Sequence, residues 1–402
     1  MSGGEMDPVV IVGAARTPMG GFQGALGALA AAELGAVAIH GALGAGPMGA
    51  GLAAEAVEEV VMGCVLPAGQ GQAPARQAAL GAGLPLGAGA TTVNKMCGSG
   101  MKAAMFGADL IAAGSARVVV AGGMESMSNA PYLLPKARAG LRMGHGAVLD
   151  HMFLDGLEDA YDKGRLMGTF AEDCAEEFGF SREDQDAFAL QSLARAQAAI
   201  AEGRFRAEIA PVAVSGRAGA VEVAIDEQPG LARPEKIPQL KPAFRAGGTV
   251  TAANSSSISD GAAALILMRA SEAEARGLRP LARIVGHASF ADAPARFPTA
   301  PIGAMERLLA RVGWSKNDVD LFEINEAFAV VAMAATRALG LDPARVNVNG
   351  GACALGHPIG ASGARVLVTL LGALADRGLR RGVASLCIGG GEATAMAIER
   401  LD

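Results

Sequence analysis

Two cysteines and one histidine of the sequence stand in glycine-rich settings that display reactive side chains. Cys97 follows a predicted strand and precedes Gly98, Gly100 and a helix of small residues. Its thiol is therefore expected at a helix N-terminus, where free N–H groups and the helix dipole favour a thiolate. The glycines also let a substrate carbonyl approach the backbone. Because many cysteines are only small buried apolar residues, this setting is what makes Cys97 a candidate nucleophile.

His357 lies in the segment Gly350–Gly363, which reads GGACALGHPIGASG. Pro358 fixes the backbone after the imidazole, so the side chain is expected to project from a tight loop. A histidine there can take the proton of a thiol, and the alternative is a turn histidine that caps a helix starting near Gly360. The other histidines are predicted to be structural or on the surface: His40, His145, His151 and His287.

Cys387 ends an apolar segment beside Gly389–Gly391 and is expected to face a cleft. A thiol with an ordinary pKa of ~8.5 can act as an acid or a base near neutral pH. Asn325 is predicted to begin a helix, and N-capping is its alternative role. The remaining cysteines, Cys64, Cys174 and Cys353, are expected to be structural.

Strands, glycine-rich turns and helices alternate around these residues. The first half contains predicted strands and helices at Val9–Val12 (ended by Gly13), Ala28–Leu43, Val57–Val61, Thr91–Asn94, Met101–Ala113 and Arg117–Ala121 (closed by Gly122 and Gly123). The second half echoes it with strands at Leu281–Gly286, Arg345–Asn349 and 382–388 and a helix from about Gly360 to Asp376. The order predicts an α/β fold of two similar halves with a ligand cleft between them.

A more polar stretch from Glu125 to about Gly248 interrupts this alternation, which resumes at Val250. It holds a long predicted helix, Arg182 to Glu202, with Ser181 and Asp184 placed as a capping box. We interpret the stretch as a loop-rich subdomain inserted at a sheet edge. The predicted domains are then residues 1–275, which carry the insertion, and residues 276–402.

The composition limits the class of protein. The chain has 402 residues, a net charge of -6, 51% hydrophobic residues and 56 glycines, which excludes a disordered chain and allows two or three domains. It has no basic run for nucleic acid and no apolar run for a membrane helix, and Met1–Pro8 does not resemble a secretory signal. Five cysteines without a CxxC pair argue against a disulfide framework or a zinc site, and favour a cytosolic enzyme with one or two working thiols.

Several motifs together carry a resemblance over almost the whole chain. They are Val12–Gly20, Val93–Lys102, Gly122–Ser128, Gly248–Ala263, Asn325–Ala329, Gly350–Arg365 and Cys387–Gly391. In this order they resemble the thiolase family, which comprises the acetyl-CoA acetyltransferases and the 3-ketoacyl-CoA thiolases. The resemblance implies a thiolase-like fold, in which two βαβ-type halves form a layered α-β-α-β-α core with an inserted loop subdomain.

The resemblance also implies a role for each matching residue. Cys97 matches the nucleophile that becomes acylated, His357 the histidine that activates it and binds the thioester oxygen, and Cys387 the cysteine that exchanges a proton with the α-carbon. Asn325 matches the residue that holds a water in a first oxyanion hole. The N–H groups of Cys97 and Gly389 match a second one. The residues that match the lining of the coenzyme A channel are Ser256, Phe244, Met167, Ala327 and Phe328.

The implied activity is that of an acyl-CoA:acetyl-CoA C-acyltransferase. It would condense two acetyl-CoA to acetoacetyl-CoA, or cleave 3-ketoacyl-CoA, through an acyl-cysteine. The alternatives are a thiolase-like ketoacyl synthase and a longer-chain 3-ketoacyl-CoA thiolase of fatty-acid β-oxidation. Coenzyme A is then substrate and product, with no bound cofactor or metal. We expect a cytoplasmic homodimer or homotetramer of fatty acid metabolism, with tetramer contacts in the insertion.

The chain departs from the family pattern at a few positions. Leu166 stands where many biosynthetic members have histidine, which leaves the acyl-chain length open, and Glu392-Ala393 follow the glycines where Met-Gly or Gln-Gly is frequent. A ketoacyl synthase would have histidine or asparagine in place of Cys387, and a silent acyl-CoA- or sterol-binding relative would lack Cys97 or His357. Two reactive thiols in one cleft also suggest a regulatory Cys97–Cys387 disulfide.

Overall fold

The computed structural model describes residues 7–216 and 219–401, so most of the segment assessed for a secretory signal lies outside it. The strands are β1 (Val9–Arg16), β2 (Gly20–Gly21), β3 (Glu59–Gly63), β4 (Gly89–Val93), β5 (Val118–Ser126), β6 (Tyr132–Leu133), β7 (Leu149–Asp150), β8 (Val212–Gly216), β9 (Gly219–Val223), β10 (Ser259–Arg269), β11 (Ala282–Ala291), β12 (Leu321–Ile324), β13 (Arg381–Ile388) and β14 (Glu392–Arg400). The helices are α1 (Ala31–Leu43), α2 (Pro74–Gly81), α3 (Ser99–Ala112), α4 (Met167–Phe178), α5 (Arg182–Ala201), α6 (Glu227–Leu231), α7 (Ala270–Ala275), α8 (Ala300–Val312), α9 (Ala329–Leu339), α10 (Ala352–Leu355) and α11 (Ser362–Asp376). Shorter helical turns occupy Ala54–Ala56, Met127–Asn129, Ala137–Ala139, Phe153–Leu157, Pro234–Gln239, Pro294–Thr299, Lys316–Asp318 and Pro343–Arg345.

Ten strands form the central sheet, which divides into two half-sheets. The first half-sheet has the order β4-β3-β5-β10-β1 and the second β12-β13-β14-β11, while β2 pairs with β10. The two join where β1 meets β11, through only two residue pairs, Val10 with Arg283 and Ile11 with Ala282. So short a junction cannot hold the halves together alone, and the helices between them must contribute.

The protein has five layers of helices and half-sheets, which pack around three apolar cores. Helices α1 and α2 pack on the outer face of the first half-sheet, and α8 and α9 pack on the outer face of the second. Helices α3 and α11 lie between the half-sheets and contact each other. Alternate residues of one strand serve different cores: Val118 and Val120 of β5 face the outer core, while Val119 and Ala121 face the central one. The predicted α-β-α-β-α core is confirmed.

The two halves repeat one connectivity. In the first, β3 runs parallel to β4 and β5, and β10 returns antiparallel beside β1. In the second, β12 runs parallel to β13, and β14 returns antiparallel beside β11. The helices α3 and α11 occupy equivalent places before β5 and β13. The structure therefore contains the two similar halves that the sequence predicted.

The strand predicted at Arg345–Asn349 is absent, and a single bridge between Phe322 and Val346 stands where β4 would have its counterpart. The side chain of Asn347 explains the difference. Its Oδ1 accepts from Ile324 N at 2.8 Å and its Nδ2 donates to Ile324 O at 2.8 Å. A side chain thus takes the hydrogen bonds of β12 that another strand would have used.

Two strands continue through glycines at which the sequence predicted their ends. β1 passes Gly13 with a bulge and runs to Arg16, and β5 passes Gly122 and Gly123 to Ser126. The glycines serve close approach: an added Cβ on Gly13 would lie 2.2 Å from Ala42 O in α1, and one on Gly123 would lie 2.0 Å from Gly360 O. The fold needs these glycines because they lack a side chain, and not because they form a turn.

The insertion spans residues 127–258, slightly more than predicted at its C-terminal end, because β10 begins only at Ser259. Its long helix α5 has the predicted capping box, in which Asp184 N donates to Ser181 Oγ at 3.0 Å and Ser181 N donates to Asp184 Oδ2 at 3.0 Å. Arg16 of β1 anchors the insertion. This buried guanidinium binds Glu208 at 2.5 Å and Asp226 at 2.6 Å.

Candidate active site

Cys97 is displayed by a tight turn between β4 and α3. Met96, the residue before it, has a φ of +47°, an uncommon conformation for a side-chain-bearing residue. Side chains within the turn hold this geometry: Asn94 Oδ1 accepts from Met96 N at 2.9 Å, and Ser99 Oγ accepts from Lys95 N at 2.8 Å. The turn therefore fixes the position of the thiol before any substrate binds.

The thiol of Cys97 is not the thiolate that the sequence predicted. Burial raises the pKa of Cys97 to about 11, and the backbone N–H groups of Gly389 and of Cys97 itself lower it only in part. Desolvation outweighs the helix N-terminus, so the resting residue is a thiol. These two N–H groups lie near the sulfur, and the second oxyanion hole assigned to them stays a prediction.

His357 is buried, and its tautomer follows from its neighbours. Its Nδ1 lies 2.5 Å from Ser362 Oγ, and that hydroxyl donates to Pro358 O at 2.9 Å. Because the hydroxyl hydrogen is used, Nδ1 must carry the proton and donate it to Ser362. Nε2 is then an unprotonated lone pair, buried and without a partner in the described part of the chain. Burial, assisted by the charge of Arg365, lowers the pKa of His357 to about 3, so the imidazole is neutral.

Cys387 is fully buried at the end of β13, where it contacts the aromatic cluster described below. Burial raises the pKa of Cys387 well above its usual value, and the nearby Cys97 adds to the shift. The ordinary thiol pKa expected from the sequence therefore does not hold for this side chain. Cys387 is a protonated acid at neutral pH and becomes a strong base once it has given up its proton.

The Gly389–Gly391 turn after Cys387 needs its glycines. Gly391 has a φ of +88°, and an added Cβ there would lie 2.5 Å from the carbonyl oxygens of Asp292 and Ala293. The turn is therefore too tight for any side chain at this position. It leaves the N–H of Gly389 near enough to the sulfur of Cys97 to lower the pKa of that thiol.

Asn325 follows β12 and does not begin a helix, because α9 starts only at Ala329 with Phe328 as its N-cap. Its backbone N–H donates to Ser385 O at 3.0 Å, which ties it to β13. Its Oδ1 faces Arg365 Nη2 at 3.5 Å, which directs Nδ2 the other way. That nitrogen is buried and without a partner among the described residues, so it is free to donate to a ligand or a water.

The residues expected to line a coenzyme A channel lie together beside Cys387. Met167, Phe244, Ala327 and Phe328 belong to one apolar cluster with it. The rings of Phe244 and Phe328 meet edge to face at 5.9 Å, and Ser256 Oγ donates to Ala327 O at 3.0 Å. An added Cβ on Gly389 would lie 3.3 Å from Met167 Sδ, so the cluster reaches the Gly389 turn.

Two buried carboxyls that no motif assigned to a role support the catalytic loops. Glu125 accepts from the backbone N–H groups of Val65, Leu66 and Gly360 at 2.9, 3.1 and 2.9 Å, which joins β5 to the loop that carries His357. Burial raises the pKa of Glu125 to about 7 although these N–H groups oppose the shift. The sequence signal was available, since Glu125 lies inside the matching segment Gly122–Ser128.

Glu326 plays the corresponding part for the segment before His357. It accepts from Ser192 Oγ at 2.7 Å, Asn347 Nδ2 at 2.8 Å and Cys353 N at 3.1 Å. Cys353 donates its S–H to Glu326 O at 3.7 Å, in keeping with the packing role predicted for it. Glu326 follows Asn325 directly, so one short segment supports both the site and its loop.

All five cysteines are free, so the Cys97–Cys387 disulfide remains a prediction. Cys64 and Cys174 are buried, and Cys174 lies in the same apolar cluster as Cys387. In residues 7–216 and 219–401 no group of histidine, cysteine and carboxylate side chains is arranged to hold a metal ion. Nor does any helix in those ranges have the length and apolarity to cross a membrane.

Comparison with known proteins identifies the class of protein to which this fold and this site belong. Residues 9–271 match the family described as Thiolase, N-terminal domain, and residues 278–400 match Thiolase, C-terminal domain. The chain belongs to the thiolase family.

The curated relatives are acetyl-CoA acetyltransferases. The chain is 53% identical to the acetyl-CoA acetyltransferase of Pseudomonas aeruginosa, over 98% of this chain and 100% of that one. It is 52% identical to acetyl-CoA acetyltransferase 2 of Arabidopsis thaliana, over 98% and 97%. The predicted family membership is confirmed.

Solved structures agree. A thiolase from Ascaris suum in complex with coenzyme A superposes with a TM-score of 0.91 at 41% identity, over 98% of this chain and 100% of that one. The acetyl-CoA acetyltransferase of Bacillus anthracis gives a TM-score of 0.94 at 42% identity, over 98% and 99%. The predicted thiolase-like fold is confirmed.

Proposed function

We propose that this protein is an acetyl-CoA C-acyltransferase that condenses two acetyl-CoA to acetoacetyl-CoA and cleaves 3-ketoacyl-CoA in the reverse direction. One observation carries the proposal: two thiols from different halves lie close together, and the N–H of Gly389 faces the sulfur of Cys97. The names of the relatives support the acetyl group as the transferred unit.

Cleavage begins with Cys97 and His357. Nε2 of His357 takes the thiol proton as the sulfur attacks the keto carbonyl of 3-ketoacyl-CoA. Because His357 is neutral and Nδ1 is held by Ser362, Nε2 is the nitrogen available for this transfer. The buried imidazole is a weak base. Its low basicity is offset because hydrogen-bond donors stabilise the negative charge that develops on the substrate oxygen, by about 3 kcal/mol for each donor.

The carbon–carbon bond then breaks, and its electron pair passes to the thioester enolate. The protonated Nε2 of His357 and a water held by Asn325 Nδ2 stabilise the enolate oxygen. Cys387 delivers its proton to the α-carbon, for which its raised pKa keeps it in the thiol form. Acetyl-CoA leaves, and Cys97 carries the shortened acyl group.

Thiolysis completes the cycle. The Cys387 thiolate takes the proton of incoming coenzyme A, whose sulfur attacks the acyl-cysteine. The tetrahedral oxygen is held by the N–H groups of Cys97 and Gly389. Cys97 leaves as a thiolate and recovers its proton from His357. Every proton is returned, and condensation is the same sequence in reverse.

The channel residues bind the substrate in this proposal. Met167, Phe244, Ala327 and Phe328 enclose the pantetheine arm, and Ser256 lies at its edge. This apolar lining keeps water from the enolate. Coenzyme A enters as substrate and leaves as product, and no step requires a metal or a bound cofactor.

We further propose that the protein acts in fatty acid metabolism in the cytoplasm, as a homodimer or homotetramer. Support for the assembly comes from the insertion, which exposes several large apolar side chains: Tyr132, Leu134, Leu141, Met143 and Val148. Size-exclusion chromatography with light scattering distinguishes these assemblies from a monomer.

The function is tested by Cys97→Ala in an acetoacetyl-CoA thiolysis assay, with Cys353→Ala as the matched control. We expect Cys97→Ala to lose at least about 10³-fold in kcat and to form no acetyl-enzyme detectable by mass spectrometry. Cys353→Ala should retain activity. Coenzyme A-dependent turnover by Cys97→Ala would overturn the nucleophile assignment. A series of 3-ketoacyl-CoA chain lengths then measures the preference that Leu166 leaves open.

A further inference from the structure

An ion pair connects the loops that carry the two sides of the candidate site. Lys95 Nζ lies 2.7 Å from both carboxylate oxygens of Glu392. Lys95 precedes Cys97 by two residues in the first half, and Glu392 follows Gly389 by three residues in the second. The pair therefore bridges the two halves next to their reactive groups.

The same two loops meet at two further points. An added Cβ on Gly98 would lie only 2.3 Å from Ile388 Cδ1, so the loops pack without space for another atom. The N–H of Gly389 faces the sulfur of Cys97. Packing and the N–H form the inner part of this junction, and the ion pair closes its outer end.

The surrounding charges leave Lys95 as the partner of Glu392. Lys102, the neighbouring cation, extends over the ring of Phe106, with Nζ 4.5 Å from the ring centroid. Burial and the charge of Lys95 lower the pKa of Lys102. The side chains of Lys95 and Glu392 are 21% and 35% exposed. Pairs so exposed contribute little to folding, so stability alone does not account for the position of this pair.

We propose that Lys95 and Glu392 are positioning residues that hold the Cys97 turn in register with the N–H of Gly389. The inference rests on the proposed function, because it assigns this N–H to an oxyanion hole. A donor in such a hole acts only within a narrow range of distance and direction, and loss of one costs 10²–10³-fold in kcat. The ion pair acts as a clamp that prevents small shifts between the two loops, and it thereby preserves part of this contribution to kcat.

The test compares Glu392→Gln, Lys95→Met and the charge-reversed double variant Lys95→Glu/Glu392→Lys. The readouts are kcat and KM for acetoacetyl-CoA thiolysis and the rate at which iodoacetamide alkylates Cys97 at pH 9. We expect each single variant to lose about tenfold in kcat with KM within twofold, and to alkylate Cys97 more slowly because the thiolate loses an N–H donor. The reversed pair should recover most of both losses.

Glu272→Gln is the matched control, since Glu272 of α7 binds Arg276, the residue after this helix, with side chains exposed to a similar degree, 24% and 29%. It should leave kcat and alkylation unchanged. Single variants that lower only the melting temperature, or a reversed pair that recovers neither kcat nor alkylation, would overturn the proposal. Alkylation needs no turnover, so it still reports on the clamp if Cys97→Ala refutes the proposed function.

Discussion

The two halves have the same order of strands and helices, but the segments that link these elements differ at equivalent positions. In the first half, β4 leads directly into the Cys97 turn and α3, whereas the second half replaces the equivalent strand by a loop that carries His357 before α11. After β5 the chain makes the insertion of residues 127–258, whereas after β13 it makes only the Gly389–Gly391 turn. The difference teaches that one scaffold can place the proposed nucleophile in one copy and the proposed proton-transfer groups in the other.

The insertion requires an anchor that the short turn of the second half does not. Replacing Arg16 by methionine leaves Glu208 and Asp226 buried without a cation, which costs about 3–5 kcal/mol in the free energy of unfolding. Urea unfolding measures the loss. Arg117→Met, at the exposed pair with Glu58, should change the same quantity much less, because solvent screens that pair. Equal small losses in the two variants would show that the insertion is held by packing instead.

The protonation states of Cys97 and His357 should change at opposite ends of the pH scale. The folded-state pKa of His357, about 3, lies below its unfolded value of 6.5, so the stability linked to the neutral ring is complete above pH 6.5 and is lost as pH falls towards 3. Each pH unit costs about 1.4 kcal/mol. Relative to His357→Asn, the wild-type protein should lose about 2.3 kcal/mol between pH 6.5 and 4.5, because half of the unfolded imidazoles are already protonated at pH 6.5.

The raised pKa of Cys97 has no effect in that pH range, and the opposite slope from Glu125 cancels in the difference between the two proteins. Urea unfolding at pH 6.5, 5.5 and 4.5 gives the slope. His40→Asn, in which the exposed histidine of α1 is changed, should run parallel to the wild type. A His357→Asn curve that also runs parallel would contradict the buried neutral ring.

The contact between α3 and α11 is where the halves join most closely. An added Cβ on Gly363 would lie 2.3 Å from Met101 N, a backbone atom that cannot move away cheaply. Gly363→Ala should therefore destabilise the protein by about 1–3 kcal/mol in urea unfolding. Gly87→Ala, with no atom within 4 Å of the new Cβ, should stay within about 0.5 kcal/mol. A neutral Gly363→Ala would mean that the central layer is loosely packed.

The alternation of strands and helices in the sequence predicted an α/β fold, and the family resemblance predicted its layers. Glycine-rich turns marked Cys97, His357 and Cys387 as candidates locally. The sequence predicted a strand at Arg345–Asn349 because the β-branched Val346 and Val348 alternate with polar residues there, and nothing local shows that the side chain of Asn347 will bond to the backbone of Ile324 instead. Glu125 and Glu326 were assigned no role because their partners are distant along the chain: backbone N–H groups for Glu125, and mainly the side chains of Ser192 and Asn347 for Glu326.

The protonation states could not be predicted, because they depend on burial. A cysteine at a helix N-terminus was expected to be a thiolate, yet desolvation dominates and the pKa of Cys97 rises to about 11. The protonation of His357 was not predictable either, since the tautomer of its imidazole depends on Ser362, five residues later in the sequence. Position in the chain identified the groups, and only packing determined their charge.

The buried thiol of Cys97 has a consequence for survival under chemical stress. Peroxides and electrophiles attack thiolates, and at pH 7 a thiol with a pKa of about 11 is ionised in only about one molecule in 10⁴. The nucleophile is thus latent until an acyl-CoA supplies the carbonyl that makes proton transfer favourable. Oxidative damage should accordingly fall on the empty protein slowly, and the catalytic thiol should outlast ordinary surface cysteines in the same cell.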